Sequence, residues 1–302
     1  MIRIAITGGS GFVGSNLIPF LEGKKHIITL ISRAQLESSQ QLVLDPTDVV
    51  IHMAGKAHDL RHIASPQDYY NVNYEGTKKV YNAFLASQAA KFIFISSVKA
   101  CADQVLDVLT ESSIADPKTD YGKSKLLAEK YILEKTLPID KAFYILRPCM
   151  IHGPGNKGNL NLLYNFVKKG IPYPLAGFLN KRSFLSVQNL CFVINEFLKQ
   201  NIPSGIYQVA DKEPLSTNEV ITILSSPKKA RLWSVSPFLI RFLSQIGDKL
   251  HFPLNTERLN KLTESYVVSN AKLIKAIKKQ LPLSSKEGLK ITAESFRDQI
   301  NK

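Results

Sequence analysis

The chain has 302 residues, 44% of them apolar, enough for a large core and for one or two domains. Its 39 basic residues outnumber 25 acidic ones, and the net charge of +14 points to an anionic partner. The basic residues are scattered singly and in pairs, which disfavours nucleic acid against anionic lipid or a phosphorylated substrate. No stretch reaches the roughly 18 apolar residues of a membrane span, and no charged segment followed by an apolar run marks a signal peptide. Cys101, Cys149 and Cys191 are isolated, against a disulfide frame or a zinc site. The expectation is a cytoplasmic protein without a metal, peripheral to the inner membrane at most.

Ile4, Ala5 and Ile6 form a short apolar run suited to a strand buried on both faces. Gly8, Gly11 and Gly14 follow at once, then Leu17, Phe20 and Leu21 at helical spacing up to Gly23. Strand, glycine turn and helix in this order form a dinucleotide site. Missing side chains let the backbone approach a pyrophosphate, and the helix N-terminus at Phe12, Val13 and Gly14 offers it unpaired N–H groups. His26–Ile31 reads as the second strand and ends at Ser32-Arg33. An acidic residue there would hold a ribose 2′-OH. Ser32 and Arg33 suit a 2′-phosphate instead, so NADP(H) is the preferred cofactor and NAD(H) the alternative. Gln41–Leu44 is a strand candidate, yet the next strand begins at Asp48, too close for a parallel crossover. Either 42–44 lies outside the sheet or the usual helix has been trimmed away.

Asp48–Gly55 is a buried strand whose small-residue end, Ala54-Gly55, can lie against a cofactor. His58 and His62 are four apart but have no third ligand at matching spacing. Tyr74–Ser87 has the pattern of an amphipathic helix, and Lys91–Ser97 that of the next strand. A loop over 98–119 leads to a helix from Asp120 to Lys135, and the strand Ala142–Leu146 comes next. The alternation predicts a doubly wound parallel α/β sheet of Rossmann type over 1–155. From Arg147 the texture changes: a Gly/Asn-rich loop, a proline-rich turn, then strand-and-helix character again. This predicts a smaller, discontinuous substrate domain over 156–302, with 183–210 packing back onto the sheet. A further amphipathic helix is expected over 236–247, capped by Ser236, with Pro237 in its first turn and Gly247 ending it. Phe238, Leu239, Phe242, Leu243 and Ile246 share one face of it. That face either packs within the small domain or between subunits of a homodimer, or makes a shallow membrane contact.

Tyr121 and Lys125 place a phenol and an ammonium four residues apart on one helix face. Beside a nicotinamide such a lysine can bind the ribose and lower the phenol's pKa from about 10, making it a usable proton donor or acceptor. The spacing occurs three times, also at Tyr74/Lys78 and Tyr131/Lys135. Tyr121 stands apart because it begins a helix after a long loop and follows the strand-end Ser97 by 24 residues.

Taken together, TGGSGFVG (7–14), VVIHMAG (49–55), NVNYEGT (71–77), FISSVK (94–99), YGKSK (121–125) and LRPCMIHGPG (146–155) resemble the extended short-chain dehydrogenase/reductase family. The likeness is to its nucleotide-sugar epimerases, dehydratases and reductases, and closest to those that process C4 of sugars for capsule and O-antigen synthesis. The resemblance implies hydride transfer between a nicotinamide and C4 of a sugar on a nucleoside diphosphate. It implies Tyr121 as the group exchanging the proton on the C4 oxygen and Lys125 as the ribose ligand. Ser97 would hydrogen-bond the same oxygen, or Ser96 if the register slips by one. Pro148 would lie at the cofactor, and Lys99, Asn159 and Arg182 at the substrate. Val98-Lys99 stands where the dehydratases carry an Asp-Glu pair, which argues against dehydration. The absent acidic clamp favours an NADPH-dependent 4-keto-sugar reductase. A 4-epimerase of a nucleotide- or polyprenyl-diphosphate-linked sugar is the alternative, and a non-catalytic NADP sensor a remote third.

Overall fold

A computed structural model describes residues 1–56, 65–156, 158–250 and 255–298. Ten strands occur among them: β1 (Arg3–Thr7), β2 (Ile27–Ile31), β3 (Val49–His52), β4 (Lys91–Ile95), β5 (Val108–Leu109), β6 (Ala142–Pro148), β7 (Met150–His152), β8 (Phe184–Ser186), β9 (Gly205–Val209) and β10 (Val267–Val268). Six of these form one sheet, parallel throughout, in the order β2-β1-β3-β4-β6-β9. The period-2 alternation of a strand explains why its strands read as unbroken apolar runs. Ile4, Ile6, Val49, Ile51, Ile93 and Ile95 face one core, which the helices Phe12–Glu22 and Val187–Lys199 cover with Leu17, Leu21, Leu190 and Phe197. The intervening Ala5, Val50, Phe92 and Phe94 face the other, under the helices Gly76–Ala86 and Asp120–Glu134.

Residues 42–44 are not in the sheet. After β2 the chain makes only a five-residue helix, Arg33–Glu37, and a loop that reaches β3 by crossing β1. Leu42 is buried against the Phe84 core, and the Lys79 ammonium donates to the carbonyls of Gln35, Leu36 and Ser38, pinning the segment. β2 is therefore an edge strand, with Ile27 and Leu30 half exposed. The helix expected over 74–87 starts earlier, at Pro66, and runs through a π-helical segment, Tyr70–Glu75. Both histidines of the 58/62 pair lie outside the described residues.

C-terminal to β6 the chain alternates between the sheet and a second group of helices. β7 pairs with β8 and β5 with β10. The helices Asn159–Lys168, Thr217–Ser225 and Ser285–Asp298 share a core around Leu160, Leu289 and Phe296. The helix Pro237–Leu250 and its neighbour Thr256–Thr263 enclose another around Tyr173, Ile240 and Leu259. Gly247 does not end its helix. It is a buried residue inside the helix Pro237–Leu250.

A fully buried ion pair sits beneath the C-terminal ends of β4 and β6. Arg147 holds the Glu129 carboxylate at 2.5–3.2 Å through Nε and Nη2, and the Ser96 hydroxyl donates to the same carboxylate. Removing one partner leaves a buried charge uncompensated, whereas replacing both with apolar groups does not. Glu129→Ala is thus expected to lower the unfolding free energy by about 3–5 kcal/mol. The double variant Glu129→Leu/Arg147→Met should stay near wild type or exceed it, as chemical denaturation would show.

Candidate active site

The glycine loop after β1 is shaped by contacts within the protein first. Gly8 has φ +73°, and a Cβ there would lie 2.6 Å from the Ala54 nitrogen; one on Gly14 would lie 2.4 Å from the Gly9 carbonyl. These two glycines let the loop press on the end of β3 and the helix press on the loop. Gly11 is exposed and meets little. It caps the helix Phe12–Glu22 without any side-chain hydrogen bond, so the amides of Phe12, Val13 and Gly14 keep no intrahelical partner and can take a phosphate.

Behind this loop runs a buried chain of hydrogen bonds whose polarity is fixed by the single proton on each hydroxyl. Thr77 Oγ1 donates to the Asn73 carbonyl (2.6 Å), so it accepts from His52 Nε2 (3.0 Å). His52 Nδ1 then accepts from Thr7 Oγ1 (2.6 Å), and that oxygen accepts in turn from the amides of Met53 and Ala54. Complete burial depresses His52 to about 3, so the ring is neutral, as this network requires. Asn73, carried on the π-helical turn, extends the scaffold. Its side chain accepts from the Lys56 amide and donates to the Lys56 carbonyl and to Ser124. The turn Ala54-Gly55 is thereby clamped from both sides. Sequence reasoning missed Asn73 and His52; the single available signal was their place inside two recognised motifs.

Gly122 explains how Tyr121 reaches Ser97. A Cβ on Gly122 would lie 2.4 Å from the Lys99 carbonyl and 2.8 Å from Pro117, so only glycine lets the helix Asp120–Glu134 seat against the turn that follows β4. Thr119 caps that helix, accepting from the Gly122 amide. The Tyr121 phenol faces the Ser97 side chain, and its ring meets Tyr69 edge-on with centroids 6.3 Å apart. Burial raises the phenol's pKa, while the influence of the Ser97 side chain lowers it. Lys125 is 4% exposed, and its ammonium donates to the Ile95 carbonyl at 3.0 Å and lies 4.8 Å from the Phe94 ring centroid. A Cβ on Gly55 would come within 3.0 Å of that ammonium. The glycine thus keeps open a space bordered by a lysine that has two further donors to give.

The other two Tyr-x-x-x-Lys pairs lie elsewhere. Tyr131 donates to Asn82, and together with Tyr74, Tyr81, Lys78 and Lys135 it forms an aromatic and cationic cluster. Pro148 ends β6, buried against β9. Lys99 donates to the Asp103 carbonyl and lies 4.6 Å from the Tyr266 ring centroid. Arg182 sits further out, bridged through its backbone to both Leu215 and Tyr266; the Tyr266 hydroxyl reaches the carbonyls of Val98 and Ala102 beside Ser97. Asn159 opens its helix, but its side chain lies outside the described part. At the end of β2, Ser32 is occupied as a helix cap and Arg33 points into solvent, paired with Glu37 at 2.6 Å. Among the described residues no group of His, Cys, Asp and Glu is arranged to hold a metal ion.

A family model described as the NAD dependent epimerase/dehydratase family matches residues 4–210. The chain belongs to that family. Its members are enzymes of the extended short-chain dehydrogenase/reductase type, and the partnerless amides and the Gly55 space fit a nicotinamide dinucleotide. A UDP-glucose 4-epimerase of Vibrio cholerae is 29% identical over 99% of this chain and 97% of its own. An N-acetyl-α-D-glucosaminyl-diphospho-ditrans,octacis-undecaprenol 4-epimerase of Escherichia coli O157:H7 is 29% identical over 72% and 70%. Among solved structures, RMD from Pseudomonas aeruginosa complexed with NADPH shares the fold, with a TM-score of 0.74 and 22% identity over 97% and 99% of the two chains.

Burial pushes Lys125 down from an ordinary 10.5 to about 8. Below pH 8 the residue is charged in both folded and unfolded chains, so folding bears the whole desolvation penalty. As pH rises toward the unfolded value the penalty is relieved. Lys125→Met should therefore be more stable than wild type at pH 7, by about 1–3 kcal/mol. Denaturation curves should show the difference shrinking between pH 8 and 10.5, the two values that bracket it.

Proposed function

We propose that this enzyme transfers a hydride between a nicotinamide and C4 of a sugar carried on a diphosphate. The reading rests on the meeting of Tyr121, Ser97 and Lys125 at the C-terminal end of β4, beside the space kept by Gly55. The nicotinamide supplies or accepts the hydride. Tyr121 gives the proton to the C4 oxygen in reduction and takes it in oxidation, while Ser97 donates to the same oxygen and fixes its direction. Lys125 binds the ribose hydroxyls, and its charge favours the phenolate at the moment of transfer. Val98 and Lys99 offer no carboxylate for acid–base work at C5 or C6, so elimination of water does not follow.

Net reduction with NADPH is the first reading, because no carboxylate at the end of β2 repels a 2′-phosphate. Arg33 has to leave Glu37 to bind one, and an exposed ion pair four residues apart on a helix is weak. As it stands that pair favours the second reading, a 4-epimerase that retains NAD. The Vibrio and Escherichia relatives are both named as 4-epimerases, one for a UDP-linked sugar and one for a sugar on undecaprenyl diphosphate. C4 chemistry alone does not fix the carrier.

Tyr121→Phe is expected to cut turnover by a factor on the order of 100 to 10,000 with the fold retained, while Tyr131→Phe leaves it nearly unchanged; equal losses would remove the assignment. Fluorescence titration of both cofactors separates the two directions. Reduction predicts NADPH binding about 10- to 100-fold tighter than NADH, with the preference lost in Arg33→Ala. Tightly bound NAD in the purified protein, indifferent to Arg33→Ala, would move epimerisation ahead.

A further inference from the structure

A cavity of about 590 Å³ opens beside Arg182. Its wall is built from Leu160, Leu163, Phe166, Leu175 and Ile240, with Arg182 the sole charged side chain lining it among the described residues. Tyr173 and Thr217 are the other polar lining side chains. The Thr217 amide donates to the Asn180 side chain and its hydroxyl accepts from it, so one hydroxyl proton of Thr217 is what this residue has left to offer a ligand. A nucleobase presents several donors and acceptors along one edge, and an apolar wall leaves them unpaired. An isoprenoid chain has none to satisfy.

Arg182 is half-buried, and no carboxylate pairs with it among the described residues. Burial lowers its pKa; Glu264 opposes this from nearby, but its carboxylate already accepts from the Gln104 amide. A half-buried guanidinium with no ion-pair partner among the described residues, at the wall of an apolar cavity, fits a diphosphate whose far side is greasy.

The cavity continues onto an exposed apolar surface. The helix Pro237–Leu250 gives Ile240 to the cavity and turns Phe238, Leu239, Phe242 and Leu243 outward, with Phe238 82% exposed. Trp233, on the strand-like segment that pairs with Tyr173, is 61% exposed. Next to this patch, and sharing Tyr173 with the cavity, lies a cleft lined by Lys168, Lys169, Lys228, Lys229, Arg231 and Arg297 and by no carboxylate. Exposed aromatic and aliphatic side chains flanked by lysines and arginines complement an anionic bilayer, in both apolar depth and charge.

We propose that the sugar is carried on a polyprenyl diphosphate, taken up from the surface of an anionic membrane. Arg182 grips the diphosphate, the cavity receives the first isoprene units, and the face of 238–243 with Trp233 rests in the headgroup region. The inference rests on the C4 reading above for the sugar, but its test reads the carrier alone.

Farnesyl diphosphate and UDP serve as probes of the two carriers, titrated by calorimetry against the cofactor-loaded enzyme. Farnesyl diphosphate is expected to bind at least about tenfold tighter than UDP, the extra affinity coming from apolar burial. Arg182→Gln should weaken it by about tenfold or more, and Leu163→Asn should weaken it as well without touching Arg182. Tyr121→Phe should leave it unchanged, so a failed C4 assignment and a failed carrier assignment give different results. UDP binding as tightly as farnesyl diphosphate, or indifference to both substitutions, overturns the proposal. For the surface, flotation with phosphatidylcholine/phosphatidylglycerol vesicles should carry the wild-type protein up at low salt and release it at high salt. Phe238→Ser/Phe242→Ser, at exposed positions that do not support the core, should abolish flotation. If the wild type does not float and the double variant instead dissociates an oligomer in light scattering, the face is a contact with a second copy and the membrane assignment falls.

Discussion

The buried ammonium of Lys125 constrains most of what surrounds it. A lysine deprived of water is costly unless acceptors and charges are arranged around it, and here it has a backbone carbonyl, an aromatic face and a glycine in place of a carboxylate at contact distance. Glu129 acts on it electrostatically but is committed to Arg147 and Ser96. The ion pair beneath the sheet thus keeps the Glu129 carboxylate committed to Arg147 and Ser96 and away from a direct pair with the lysine.

The scaffold holding that space is made of neutral groups. The chain from Thr7 through His52 to Thr77 and Asn73 is paired throughout by neutral groups, so it fixes the Ala54-Gly55 turn without adding a charge beside the lysine. A protonated His52 would break this order, since Nδ1 must accept from Thr7. The depression of its pKa to about 3 keeps the order intact at neutral pH. Further out, Arg182 repeats the device: a partly desolvated cation held by backbone bridges, with Glu264 acting on it from nearby and no ion pair to it among the described residues. Tyr266 ties the two regions together, one strand position from Arg182 and hydrogen-bonded to the turn that carries Ser97.

Much of this was legible in the residues. Apolar runs of four or five between glycine turns and helical patterns can fill only a sheet covered on both faces, and β1, β3 and β4 do so. Tyr121 was separable from Tyr74 and Tyr131 because a helix start after a long loop at a strand end is a place in the fold, and the spacing to a lysine is not. The π-helical turn that aims Asn73 was not legible, because it depends on tertiary hydrogen bonds and not on propensity. Nor was the continuation of the helix through Gly247. A glycine signals a helix end when nothing packs on it, and here it is buried. The apolar character of the cavity at Arg182 was also hidden, since its lining comes from segments between residues 150 and 262 that no local pattern brings together.

The edge of the sheet shows how a shortened connection shifts function onto fewer residues. With 42–44 folded against the Phe84 core, β2 lacks an outer neighbour, and its exposed Ile27 and Leu30 would invite pairing with another chain. Its length of five residues and the lysines at positions 24 and 25 before it limit that hazard. The turn after it is stabilised by a capping box in which Ser32 accepts from the Gln35 amide and donates to the Gln35 side chain. That hydroxyl's proton and the Ser32 amide are both given to Gln35, so a cofactor 2′-phosphate could use Ser32 only by undoing the cap that forms the turn. Arg33 has no such commitment beyond an exposed partner. At the end of this shortened connection, Arg33 is thus the side chain whose hydrogen bonds are not tied up in forming the turn, a direct consequence of the missing outer strand.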